Sequence, residues 1–196
     1  MREWALRWHH RLCCFIRDSI VRGGKDFHFA RKRTDELGHG GERLQLVLLV
    51  ENVRSLQNVG ALFRLADGLG VAEVALCGIT GCPPHRDIHR TALGAEEMVT
   101  WRYFLNGVAG AEHYALQGYE VVALEQVHGS LRVDEYRPGE GGVVLAVGNE
   151  VEGVSDALLA VCGACVEIPQ RGEKHSLNVA TAAAIALWEV AKRLTE

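Results

Sequence analysis

From residue 45 onward the pattern becomes regular: short apolar runs, Gly- or amide-rich loops and helical stretches alternate, without an internal sequence repeat. The first run, Gln45–Val50 (QLVLLV), is apolar almost without alternation. That is the pattern of a strand covered on both faces, because a strand with one wet face alternates apolar and polar residues. A helix follows at about Asn58–Leu69 and is stopped by Gly70. Val71–Cys77 is the next strand. Gly78–Asp87 is a loop holding Pro83 and Pro84, and Ile88–Leu93 is a short helix. Asn106–Gln117 is predicted helical, Glu120–Leu124 a strand, Gly129–Gly142 a loop and Val143–Val147 a strand. Ser155–Ala160 is a short helix and Val166–Ile168 the last strand. The closing helix is rich in alanine and begins after Ser176-Leu177-Asn178. Strands alternating with helices predict an α/β fold: a parallel sheet with helices on both faces.

The 196 residues are 48% hydrophobic, enough for one domain with a full core. Residues 1–44 lie outside this alternation and read as a basic N-terminal arm preceding a domain at 45–196. Charge divides in the same way. Residues 1–43 hold ten Lys/Arg against six Asp/Glu, and the remainder eleven against nineteen. Trp4, Trp8, Leu12 and Phe15 share one face of a helix predicted over 1–22. Arg31, Lys32 and Arg33 are the arm's densest charge and a candidate phosphate contact. No apolar run is long enough to span a bilayer, and the N-terminus does not read as a secretion signal, so a soluble, cytoplasmic protein is expected. Six cysteines then default to reduced thiols. Cys162-Gly-Ala-Cys165 is a lone C-x-x-C leading into a buried strand, and is read as packing, not zinc or redox chemistry.

The usual nucleotide signatures are absent, as is a nucleophile elbow. His85 and His89 are four apart but follow Pro83-Pro84, with no third metal ligand in view, so no metal is expected. Three polar blocks remain, each just past a predicted strand: Asn52–Gly70, Val147–Ser155 and Ile168–Asn178. In a parallel sheet that edge is where ligands bind.

These blocks resemble the three motifs of the SpoU (TrmH-like) RNA ribose 2′-O-methyltransferases of the SPOUT superfamily. The first matches an N-x-G-A-x-x-R pattern at Asn58, Gly60, Ala61 and Arg64. The second matches G-N-E-x-x-G-x-S at Gly148, Asn149, Glu150, Gly153 and Ser155. The third matches Ile168-Pro169 through Gly172 to Ser176-Leu177-Asn178-Val179. Their order is the family's, and the resemblance spans about residues 45–193.

The resemblance implies a sheet whose C-terminal segment threads a loop to form a deep trefoil knot, and a homodimer. It implies S-adenosylmethionine (AdoMet) as cofactor, held mainly by backbone groups at Leu124, Glu125, Gly148, Glu150, Ile168, Ser176 and Leu177. It implies RNA as substrate, with tRNA expected before ribosomal RNA. Arg64 would lie beside the target ribose. A guanidinium is too weak an acid to serve easily as a base, so its expected role is to hold phosphate and stabilise a developing alkoxide. Asn58 would order the loop or reach the partner subunit, or simply cap the helix. Glu150 would orient Arg64 or Ser176, and Ser176 and Asn178 would bracket methyl and ribose. The loop around His85, Arg86 and Arg90 is a candidate RNA contact, as readily read as solvated surface. Three readings compete: a SPOUT enzyme that methylates a base, an RNA-binding relative without catalysis, and a flavodoxin-like ligand-binding module. The last leaves the three motifs unexplained.

Overall fold

The structure is a computed structural model that describes residues 41–173 and 176–196. The expected helix over 1–22 and Arg31, Lys32 and Arg33 lie outside the described residues. Seven parallel strands make one sheet: β1 (Leu44–Glu51), β2 (Val71–Cys77), β3 (Thr100–Phe104), β4 (Glu120–Leu124), β5 (Leu131–Arg132), β6 (Val143–Val147) and β7 (Ala164–Glu167). Their spatial order is β3-β2-β1-β6-β4-β7-β5. The helices are α1 (Leu56–Gly68), α2 (Arg86–Ala92), α3 (Ala95–Met98), α4 (Gly107–Ala115), α5 (Asp156–Leu159) and α6 (Val179–Leu194).

The apolar run at β1 is explained by two cores. Leu46, Leu48 and Val50 face a cluster completed by residues of α1, α2 and α6. Val47 and Leu49 face another, built with residues of α4 and α5. Successive side chains of a strand point to opposite faces, so a strand between two helix layers must be apolar at every position.

Several boundaries move. Ser55, not Asn58, caps α1: its side chain accepts the Asn58 N–H, so the capping role considered for Asn58 is corrected. Both residues are good caps, and the sequence permits either. Arg86 begins α2, two residues before the expected start. The edge strand β3 and the four-residue α3 have no counterpart in the sequence reading. Leu131–Arg132 forms a short strand inside the expected loop, and β7 ends at Glu167, which leaves Ile168 in the loop.

Cys162 and Cys165 are free and pack against the second core. Burial, with Cys165 and Glu51 nearby, pushes the Cys162 thiol up to about 12. Burial and Glu125 raise that of Cys165. Protonated thiols are poor ligands and nucleophiles, which agrees with the packing reading. Among the described residues, no helix is long and apolar enough to cross a membrane.

Candidate functional site

The first polar block leaves β1 at a tight corner. Asn52 takes a left-handed conformation (φ 55°), and its Oδ1 accepts the Ile79 N–H at 3.2 Å. Thr80, buried beside it, accepts from Val53 N and donates to Val50 O, both at 3.0 Å. These bonds fix where α1 starts. The helix then packs closely on α2 at Gly60, where a Cβ would fall 2.4 Å from the Ile88 carbonyl oxygen.

The second block folds back on itself through paired backbone bonds between Asn149 and Gly153. Asn149 is buried and braces this turn. Its Oδ1 accepts Val151 N and Glu152 N, and its Nδ2 donates to Asn52 O at 2.8 Å, joining the first block to the second. Gly148 must be glycine, since a Cβ would lie 2.2 Å from the Gly153 backbone. Ser155 is not in the cleft. It caps α5 and donates to the buried Glu51, which also accepts the Ser155 N–H.

The Glu150 carboxylate leaves the turn and reaches the first turn of α1. It accepts Ser55 N at 3.2 Å, Arg54 N at 3.3 Å and Asn58 Nδ2 at 2.9 Å. Burial pushes its carboxyl up, but Asn58 and the amides of Glu150, Arg54 and Ser55 outweigh this and hold it below its ordinary value. The expectation that Glu150 orients Arg64 or Ser176 is therefore corrected: its partners are the Arg54 and Ser55 amides just ahead of α1, and Asn58.

Asn58 passes the connection on. Its Oδ1 accepts Asn178 Nδ2 at 3.1 Å, while Asn178 Oδ1 caps α6 through Ala180 N and Thr181 N. One hydrogen-bonded chain, Glu150–Asn58–Asn178, thus ties all three blocks together.

These loops enclose an open cleft of about 280 Å³ at the carboxyl ends of β4, β6 and β7. Leu124, Glu125, Gly148, Glu150, Ile168, Ser176 and Leu177 all line it. So do residues the sequence reading did not single out, among them Gln126, Glu152, Glu167 and Gln170. They end or follow the same three strands, and strand-end position was the signal available for them. Glu125 is held in place by the Val154 and Gln126 amides.

Arg64 is not in the lining. It is exposed on α1, six residues beyond Asn58, and makes no hydrogen bond or ion pair with a described residue. At 1.5 Å per residue that is roughly 9 Å along the helix. The His85 ring caps α2 by accepting the Asp87 N–H, and Arg86 and Arg90 are exposed on the same helix. His89 pairs with Glu96, and Glu97 lies close by, so His89 does have candidate co-ligands, contrary to the sequence expectation. The pair ties α2 to α3.

A parallel sheet with a cleft braced by three loops at its carboxyl edge defines a class: an α/β ligand-binding fold. Residues 45–188 match the SpoU rRNA Methylase family, and the chain belongs to that family. It is 29% identical over 167 residues to a tRNA (guanosine(18)-2′-O)-methyltransferase of Thermus thermophilus, covering 84% of this chain and 83% of that one. It is 30% identical over 166 residues to mouse tRNA (guanosine(18)-2′-O)-methyltransferase TARBP1, covering 82% of this chain but only 10% of that protein. The A. aeolicus TrmH/SpoU tRNA modifying enzyme superposes with a TM-score of 0.70 at 26% identity, over 78% of this chain and 76% of that one. An AdoMet-bound rRNA methyltransferase from Sinorhizobium meliloti gives 0.67 at 29%, over 78% and 56%. Several relatives are thus much longer than the region matched, while the Thermus protein is nearly coextensive with it.

Proposed function

We propose that this protein is an AdoMet-dependent RNA methyltransferase that transfers a methyl group to a ribose 2′-hydroxyl, with tRNA as substrate class. The observation that carries the proposal is the Glu150–Asn58–Asn178 chain at the rim of the cleft, which joins the polar side chains of all three family motifs. The tRNA assignment rests on the Thermus relative, whose length this chain nearly spans.

The cleft suits the cofactor. Leu124, Ile168, Leu177, Val179 and Ala182 offer apolar wall for a purine, the strand-end loops offer backbone donors and acceptors, and Glu125, Glu152 and Glu167 offer negative charge to a cation. When bound, AdoMet supplies an electrophilic methyl on a positively charged sulfur. The protein's task is then to align the hydroxyl and accept its proton. Asn58 and Asn178 are held rigid by their mutual bond and by Glu150, so they present fixed polar groups at the rim. Ser176, exposed in the lining, faces the same space and is read as a ribose contact.

Arg64 is read as the phosphate- and alkoxide-stabilising group. Its place outside the lining supports action at the cleft of a second copy. A homodimer through α6 and α1 fits this: Ile185 and Trp188 on α6 are 39% and 60% exposed, Leu177 lies just ahead of it, and α6 packs on α1. We also read the last segment as knotted. The chain leaves β7 far from β1 in the sheet, yet α6 returns to pack against α1, β1 and β6. The residues ahead of β1 are proposed as a basic arm which, with Arg86 and Arg90, contacts RNA; Leu44, placed in the arm by the sequence reading, belongs to β1. A cytoplasmic location is part of the same proposal, consistent with an RNA substrate and with the lack, among the described residues, of a helix able to cross a membrane.

The test is incubation with methyl-labelled AdoMet and, separately, unmodified tRNA and ribosomal RNA, followed by digestion to nucleosides. The expected result is a labelled 2′-O-methylnucleoside from tRNA that is lost in Arg64→Ala. Label on a base would overturn the ribose assignment, and label in ribosomal RNA alone would overturn the substrate class.

A further inference from the structure

The cleft's charge is one-sided. Glu125, Glu150, Glu152 and Glu167 line it, and no Lys or Arg does among the described residues. Among the described residues no cationic side chain forms an ion pair with any of the four, although Arg132, the register partner of Glu167 in the sheet, acts on it electrostatically from the neighbouring strand. Glu125 accepts two backbone amides, and Glu167 accepts the Ser130 hydroxyl at 2.8 Å. Glu152 makes no side-chain hydrogen bond with a described residue and stands exposed on the turn. Glu150 accepts the Arg54 and Ser55 amides, just ahead of α1, and the Asn58 side chain.

Methyl transfer forms the oxygen–carbon bond to the ribose and breaks the carbon–sulfur bond. The breaking pair goes to sulfur, and the hydroxyl proton is released. The cofactor therefore arrives with a positively charged sulfur and leaves as S-adenosylhomocysteine, whose sulfur is neutral. Shape changes little between the two, and charge changes by a full unit.

We propose that Glu152 and Glu167 make this cleft discriminate by charge, favouring the sulfonium cofactor over its spent, neutral product and so promoting product exchange. The proposal rests on the cofactor assignment above. Three ligands of nearly equal size separate charge from shape: AdoMet, sinefungin (which carries an ammonium in place of the sulfonium) and S-adenosylhomocysteine.

The experiment is calorimetric titration of the full chain with each ligand, for wild type, Glu152→Gln, Glu167→Gln and the double variant. One carboxylate acting across about 6 Å at near-water dielectric gives roughly a threefold effect, and two give about tenfold. AdoMet and sinefungin are expected to weaken by these factors while S-adenosylhomocysteine stays within about twofold. Added salt should shrink the difference, because these groups are open to solvent. Glu140→Gln, at the opposite edge of the sheet, controls for net charge and should leave all three affinities unchanged. Equal loss for all three ligands would show a structural role and overturn the proposal, as would no loss for any. Failure of wild type to bind any of them would instead overturn the cofactor assignment.

Discussion

Replacing Gly60 with alanine sets two known effects against each other. Gly60 lies inside α1, and in a helix interior alanine is favoured over glycine by about 1 kcal/mol. On propensity alone, Gly60→Ala should stabilise. The structure predicts the reverse sign. The added methyl would sit 2.4 Å from the Ile88 carbonyl oxygen and 3.0 Å from the Ala92 nitrogen, as well as on the Thr91 hydroxyl. Thr91 can rotate, but the α2 backbone cannot yield without the helix moving off α1. Overpacking of this kind costs about 3 kcal/mol, so the net loss is about 2 kcal/mol after the propensity gain. For a chain of this size that is a fall in Tm of roughly 4–8 °C. Gly68 is the internal control. It ends the same helix and a Cβ there would meet nothing within 4 Å, so Gly68→Ala should hold or slightly raise stability. Urea and thermal unfolding of both variants provide the measurement. A Gly60→Ala protein as stable as wild type, or more so, would refute the reasoning and imply that α1 and α2 are looser than described.

Glu150 has a depressed folded-state pKa, so its stabilising contribution is full above the unfolded value of about 4.3 and is lost as pH falls through the folded value. Wild type should therefore lose stability below about pH 4.3 more steeply than Glu150→Gln, by less than about 1 kcal/mol because the group is exposed; parallel urea-midpoint curves against pH would contradict this. At neutral pH Glu150→Ala should leave the sheet folded but cut methyl transfer at least about tenfold, since Asn58 loses its anchor; single-turnover rates report it. If Arg64 acts on a partner's cleft, a random mixture of Arg64→Ala with Ser176→Ala subunits should recover about a quarter of wild-type activity, from one complete site in each mixed dimer. No recovery in co-refolded mixtures would place Arg64 in its own subunit's site.

The sequence was most legible where burial dictates residue type. β2 and β6 have the limits that the apolar runs predict, and β1 is one residue longer at each end. β3 escaped because it is an edge strand whose five residues are mostly exposed, so it carries no apolar run. α3 escaped because four residues hold no period. In the site, the motif residues could be found but their duties could not be divided. Gly60 and Ser155 belong to the same patterns as Asn58 and Glu150, yet one makes room for a helix and the other caps one. Only tertiary contact separates them. Glu150 and the Arg54 and Ser55 amides are nearly a hundred positions apart, and no local feature of either announces the other.

That remoteness has a kinetic consequence. The bonds that shape the cleft join residues 97 apart at Asn52–Asn149, 104 apart at Glu51–Ser155 and 120 apart at Asn58–Asn178. Contacts so distant along the chain are slow to form, because each closes a long loop. The cleft cannot exist on a partly synthesised or partly folded chain, even one whose first strands are already paired. Any ligand that occupies it will therefore draw its binding energy into the stability of the whole sheet, from the first strand to the last helix. Occupation of the cleft thus reports that contacts spanning some 120 positions of the chain are in place.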